Sequence, residues 1–199
     1  PWIQLSEFPD WRSVAVWAAE IYDYREPPSA ELKAEIDRLR NSSPRPEDRV
    51  ISALRFVQRS VRYLAVSMGS HSHQPNPAGL VLRRLYGDCK DKSILLCALL
   101  RGMGIEARPA FVNTEACHTL AEWHPSADAF DHVIVQVRLD GNVHWLDPTL
   151  SHQGGRLGAV FLPAYERALV IDPAADGLSV IPVTGKDPSR REIRETFTC

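Results

Sequence analysis

The sequence predicts an α+β fold, a helical lobe followed by an antiparallel sheet. Three observations predict it. Apolar residues recur at helical spacing through the first half, the chain turns to short β-rich segments after Ile105, and an Asp140-Gly141 pair joins two of those segments as a hairpin. The 199 residues, 44% apolar and 24% charged, are enough for one domain with a real core. We expect a single domain over 1–199, helical to about residue 104 and sheet-forming from about 105.

Each element has its own signal. Trp11 to Tyr24 carries Val14, Trp17, Ala18 and Ile21 at helical spacing, and Pro27-Pro28 ends it. Ser29 then caps a helix with Leu32, Ile36 and Leu39 on one face. A third helix runs from about Glu47 to Ser60 with Val50, Leu54 and Val57 in its stripe. Val61 to Val66 reads as a strand or extended entry, Met68 to Pro77 as a surface loop, and Gly79 to Tyr86 as a short helical turn. An apolar helix through Ile94, Leu95, Leu96, Leu99 and Leu100 ends at Gly102 and Gly104. Strands follow at Ala107–Val112, His132–Leu139, Val143–Asp147 and Ala168–Ile171. Long loops at 113–129 and 148–163 separate them, and loops of that length often carry function.

The start of the apolar helix, Gly87-Asp88-Cys89-Lys90-Asp91-Lys92, is the most informative stretch. Asp88 is a candidate N-cap and Asp91 a capping-box partner three residues on. Cys89 then lies in the first turn, where unpaired N–H groups and the helix dipole favour a thiolate and could bind an oxyanion. The carboxylates of Asp88 and Asp91 oppose the thiolate, so a cationic histidine is needed beside it. Taken alone, Cys89 reads more simply as a small buried residue, and Cys97, two turns on, reads as core.

The hairpin supplies a histidine. With a two-residue loop, or four residues centred on Asp140-Gly141, Leu139 pairs with Asn142 and Ile134 with Asp147. His132 then shares a face with Asp147 and lies diagonal to it, about 5–8 Å apart at Cβ. A three-residue loop would put the two on opposite faces. Either residue alone is better read as a surface or turn residue. Together, downstream of a helix-start cysteine, they suit a base and its orienter. Trp145 falls on the same face and could shield the pair or line the cleft. Trp123 is most simply packing but could also line the cleft.

Three blocks carry a family resemblance. They are Tyr86–Lys92 running into Leu99–Arg108, Phe130–Val133, and Trp145–Thr149. The chain resembles the transglutaminase-like superfamily, with its papain-like fold and its order Cys, His, Asp. The segments 61–64, 74–75 and 82–84 are similar to a bacterial branch in which this domain follows a β-rich domain (DUF3857). The resemblance implies that Cys89, His132 and Asp147 act as nucleophile, base and orienter in acyl transfer through a thioester. It implies a protein or peptide substrate and further domains in the same chain. It also implies an exported, periplasmic or membrane-anchored bacterial setting. Hydrolysis of peptide or glutamine amides is the preferred outcome; amine transfer and a non-catalytic binding module are the alternatives. Gln74 through its amide and Tyr63 through its hydroxyl are candidate second oxyanion donors, a structural role being the default for both.

Other chemistry is disfavoured. A net charge of −2 makes no broad case for nucleic acid or anionic membrane, and no apolar run could span a bilayer. His71, His73, Cys117, His118 and His124 match no structural zinc spacing and there is no Cys-x-x-Cys, so neither metal nor other cofactor is expected. No acidic loop suggests calcium. The first residue, Pro1, and the abrupt last one, Cys199, read as the ends of a piece of a longer chain.

Overall fold

The computed structural model describes residues 3–22, 27–65, 73–151, 153–182 and 195–196. Three helices form the outer helical layer. Helix α1 (Trp11–Tyr22) buries Val14, Ala15, Ala18 and Tyr22. Helix α2 (Ala30–Arg40) is capped by Ser29, whose hydroxyl accepts from Leu32 N at 3.2 Å. Helix α3 (Pro46–Ser60) begins on a proline, which the first turn tolerates because its N–H would have no partner there. Its stripe of Val50, Leu54 and Val57 faces inward.

The extended segment expected at 61–66 forms a strand only at β1 (Arg62–Tyr63). It pairs in parallel with β2 (Tyr86–Gly87), while Val66 lies outside the described residues. Of the loop expected at 68–77, residues 68–72 also lie outside them. Helix α4 (Ala78–Arg84) ends at Leu85, in the left-handed region at φ 55°. Helix α5 (Cys89–Gly102) is buried nearly all round, as befits a helix with apolar residues on every side.

Among the described residues, the second half forms a five-stranded antiparallel sheet of β3 (Glu106–Val112), β4 (His132–Leu139), β5 (Asn142–Leu146), β6 (Arg167–Val170) and β7 (Ser179–Val180). The spatial order is β5-β4-β3-β6-β7. Strand β7 has no counterpart in the sequence reading. Its two residues are too few to show an alternating pattern. The hairpin register is as expected, with Leu139 opposite Asn142. Asp140 and Gly141 both take positive φ, 49° and 77°, as a two-residue primed turn requires.

Helix α5 lies between the other helices and one face of the sheet. There Val133, Val135 and Val137 join its leucines in the main core. The opposite face of the sheet has a smaller core of its own, with Ala110, Val112, Ile134, Trp145 and Tyr165. The N-terminus of α5 and the first residue of β4 meet at one end of this sandwich. That junction holds the candidate site.

Candidate functional site

Cys89 sits in the first turn of α5, as expected. The Asp88 carboxylate accepts from Lys90 N at 2.9 Å and from Asp91 N at 3.1 Å, which fixes the start of the helix. The capping-box role given to Asp91 does not hold. Its buried carboxylate instead takes Asn76 N at 2.6 Å and Arg84 Nη2 at 2.9 Å, tying the preceding loop and α4 to the helix start. Lys90 Nζ turns back to Asp88 at 2.5 Å.

His132 opens β4, and its Nε2 lies 2.9 Å from Asp147 Oδ2. The ionised carboxylate can only accept, so Nε2 carries the proton and Nδ1 is the nitrogen left for Cys89. Cys89 lines the same cleft as the His132 ring and the Tyr63 hydroxyl, and its charge acts on both. Asp147 is fully buried and heavily bonded. Tyr165 Oη donates to Oδ2 at 2.7 Å, while Thr149 N and Oγ1 donate to Oδ1 at 2.8 and 2.6 Å. Gln58 holds the Asp147 backbone carbonyl at 3.0 Å. Sequence reasoning missed Tyr165, Gln58 and the hydroxyl of Thr149.

The electrostatics follow from this packing. Burial works against a charged His132, but its bonds to Asp147 and Cys89, and their charges, outweigh burial and hold the imidazolium up to about 10. Burial likewise opposes the Asp147 carboxylate, yet His132, Thr149 and Tyr165 together keep its pKa below the usual range. Burial pushes the Tyr63 phenol up to about 12 and the Cys97 thiol up to about 12. Cys97 is core, as the sequence suggested.

A cleft of about 210 Å³ opens over this junction. Tyr63, Cys89 and His132 line it with the stacked pair Phe111 and Phe130, and with Lys90 and Asp131. Gln74, Trp145 and Trp123 are not among the residues that line it. Gln74 is exposed and does not border the cleft: Pro75 beside it is buried and Asn76 is tied to Asp91, which leaves Gln74 on the outside. Trp145 is on the face that carries His132, but it is buried in the smaller core behind the sheet. Trp123 is half-buried in the 113–129 loop, whose contribution to the cleft is Ala127.

The histidines weighed as zinc ligands are dispersed. His73 packs on Trp17 at the cleft rim, and His124 uses its backbone to bind Gln4. His71 lies outside the described residues. Cys117 and His118 instead meet Glu166, their ligand atoms within 4.8 Å of one another; only His118 of the three is exposed, and none lines the cleft.

The sequence matches the family model of the transglutaminase-like superfamily over residues 30–147, and the chain belongs to that superfamily. No curated protein matches it. Among solved structures, a candidate protease from Parabacteroides distasonis superposes with a TM-score of 0.64 at 15% identity, covering 88% of this chain and 32% of that one. This chain therefore spans about a third of that protein. A candidate cysteine protease from Cytophaga hutchinsonii has a TM-score of 0.47 at 18% identity, covering 65% and 41%. The periplasmic domain of TgpA from Pseudomonas aeruginosa has 0.46 at 17%, covering 68% and 47%. The fold is the transglutaminase-like, papain-like cysteine protease fold, as the sequence predicted.

Proposed function

We propose that this domain cleaves peptide or glutamine amides through a thioester on Cys89, with water as the usual acceptor. The reading rests on one arrangement. A helix-start thiol lines the same cleft as His132, whose Nε2 is held at 2.9 Å by a buried carboxylate. In this reading the Cys89 thiolate attacks the amide carbon and a C–S bond forms. The oxyanion is received by the N–H of Cys89 and the hydroxyl of Tyr63, since the N–H groups of Lys90 and Asp91 are already used by Asp88. The C–N bond breaks as His132 gives its Nδ1 proton to the leaving amine. His132 then takes a proton from water, the hydroxide attacks the thioester carbon, and the C–S bond breaks to release the acid. Tyr63 lines the cleft and is half exposed, so water reaches the thioester.

Site-resolved iodoacetamide labelling tests the reading. Cys89 is expected to react far faster than Cys97 near neutral pH, and His132→Ala to remove that advantage. Equal labelling of the two thiols in the wild type would overturn it. On casein, peptide cleavage or ammonia release without incorporation of an added amine identifies a hydrolase. Incorporation of the amine identifies a transglutaminase.

A further inference from the structure

Lys92 is not used by the chemistry above, and it is an expensive residue to bury. It lies on α5 one turn beyond Cys89, with only 2% of its surface exposed. Side chains three apart on a helix share a face. Its ammonium donates to the carbonyl of Val61 at 2.6 Å, just past the end of α3. Around it lie Cys89 on its own helix and the carbonyl end of α3, where Gln58 holds the Asp147 carbonyl at 3.0 Å. The β4 face against α5 is apolar, with Val133 and Val135. Asp147 is the charge that acts on it, and this opposes a burial effect that brings the lysine pKa down to about 8.

The charges of the site explain why a cation belongs there. Thiol, imidazole and carboxylate together carry one negative charge, whether the proton sits on sulfur or on the ring. A net charge out of water is unfavourable unless an opposite one is fixed nearby. We propose that Lys92 is that counter-charge: a positioning residue whose ammonium lets the Cys89 thiolate and the Asp147 carboxylate coexist around one imidazolium. The proposal rests on the catalytic reading and names a residue that reading does not need. A purely structural Lys92 would serve only to hold Val61, and through it the strand bearing Tyr63.

Two variants separate these roles. Lys92→Gln can still donate to Val61 but has no charge, and Lys92→Met can do neither. The counter-charge role predicts that both move the pH profile of Cys89 alkylation upward by about one unit, a roughly tenfold slower reaction on the acid limb. It also predicts that Lys92→Met lowers Tm in the wild-type background and lowers it much less beside Asp147→Asn, where the buried negative charge is gone. An unshifted profile in folded Lys92→Gln would overturn the proposal, as would an equal Tm loss in both backgrounds. Should neither variant fold alone, recovery of folding by Asp147→Asn supports it and no recovery overturns it. The catalytic reading fails separately, if His132→Ala leaves Cys89 labelling unchanged. The Tm coupling between residues 92 and 147 does not depend on that result.

Discussion

Tyr165 Oη donates to Asp147 Oδ2 at 2.7 Å, the same oxygen that faces His132 Nε2 at 2.9 Å. The phenol is kept neutral by burial and by the Asp147 charge, both of which push its pKa up, so it remains a donor. One carboxylate oxygen thus binds a ring N–H and a hydroxyl, while Thr149 occupies the other. Removing the hydroxyl leaves the geometry intact but takes a bond from a buried anion. Tyr165→Phe is expected to lower stability by about 1.5–3 kcal/mol in urea unfolding. It is also expected to move the alkaline limb of activity upward, because the less stabilised carboxylate holds the His132 proton more firmly. An unchanged alkaline limb would show that Tyr165 packs without tuning the pair.

Asp147→Asn is a sharper change than it looks. Thr149 presents two donors to Oδ1, so the new amide keeps its oxygen there and turns its NH₂ toward His132 and Tyr165. The amide then donates to Nε2 and fixes the ring proton on Nδ1, facing the thiol. That tautomer cannot accept a proton from Cys89. We expect turnover to fall by about 10²–10⁴ and the alkaline limb to move down, since Asp147 raises the His132 pKa. A steady-state pH–rate profile checks both.

That His132 and Asp147 would meet was legible because a two-residue turn at Asp140-Gly141 admits one register and side chains alternate from there. Cys89 was legible from the cap and dipole logic of a helix start. Tyr165 was not. It reaches Asp147 after the 148–163 loop, which has no period to place it. Trp145 shows a different limit: alternation names a face, but this sheet is buried on both faces, and the pattern alone does not say which one borders the cleft. Lys92 was hidden in plain sight, because in an isolated helical pattern a lysine reads as a solvated residue.

The pH dependence of stability has a definite sign at His132. Its pKa rises from the usual 6.5 to about 10 on folding. The native state therefore binds its proton more tightly, and the stabilisation is fully present below pH 6.5 and lost as pH rises through about 10. Lys92 works in the opposite direction. Its pKa falls from 10.5 to about 8, so the penalty for burying its charge is present below about 8 and relieved as pH rises toward 10.5. The raw stability curve mixes the two. The difference between the wild type and His132→Gln cancels the lysine contribution, and it is expected to narrow steadily from pH 6.5 to 10 in urea unfolding. A difference constant over that range would mean that the folded-state proton on His132 is held no more tightly than in the unfolded chain.

Gly87, two residues before the thiol, is required by space. A Cβ built there would lie 2.5 Å from Asp91 Cβ and 2.6 Å from its Oδ2, closer than atoms can approach. Asp91 cannot simply swing away, because its carboxylate is tied to Asn76 and Arg84 and its backbone belongs to the first turn of α5. The methyl group must displace the helix start or break that anchor. Gly87→Ala is expected to cost about 1–3 kcal/mol of stability, the usual range for overpacking a filled interior. It is also expected to slow Cys89 alkylation, because the displaced turn carries the sulfur away from His132. Asp91→Gly in the same chain removes both the Cβ and the carboxylate that the methyl group would strike. If Gly87→Ala beside Asp91→Gly is no less stable than Asp91→Gly alone, the clash is the cause. If the loss is undiminished, contact with Asp91 is not the cause.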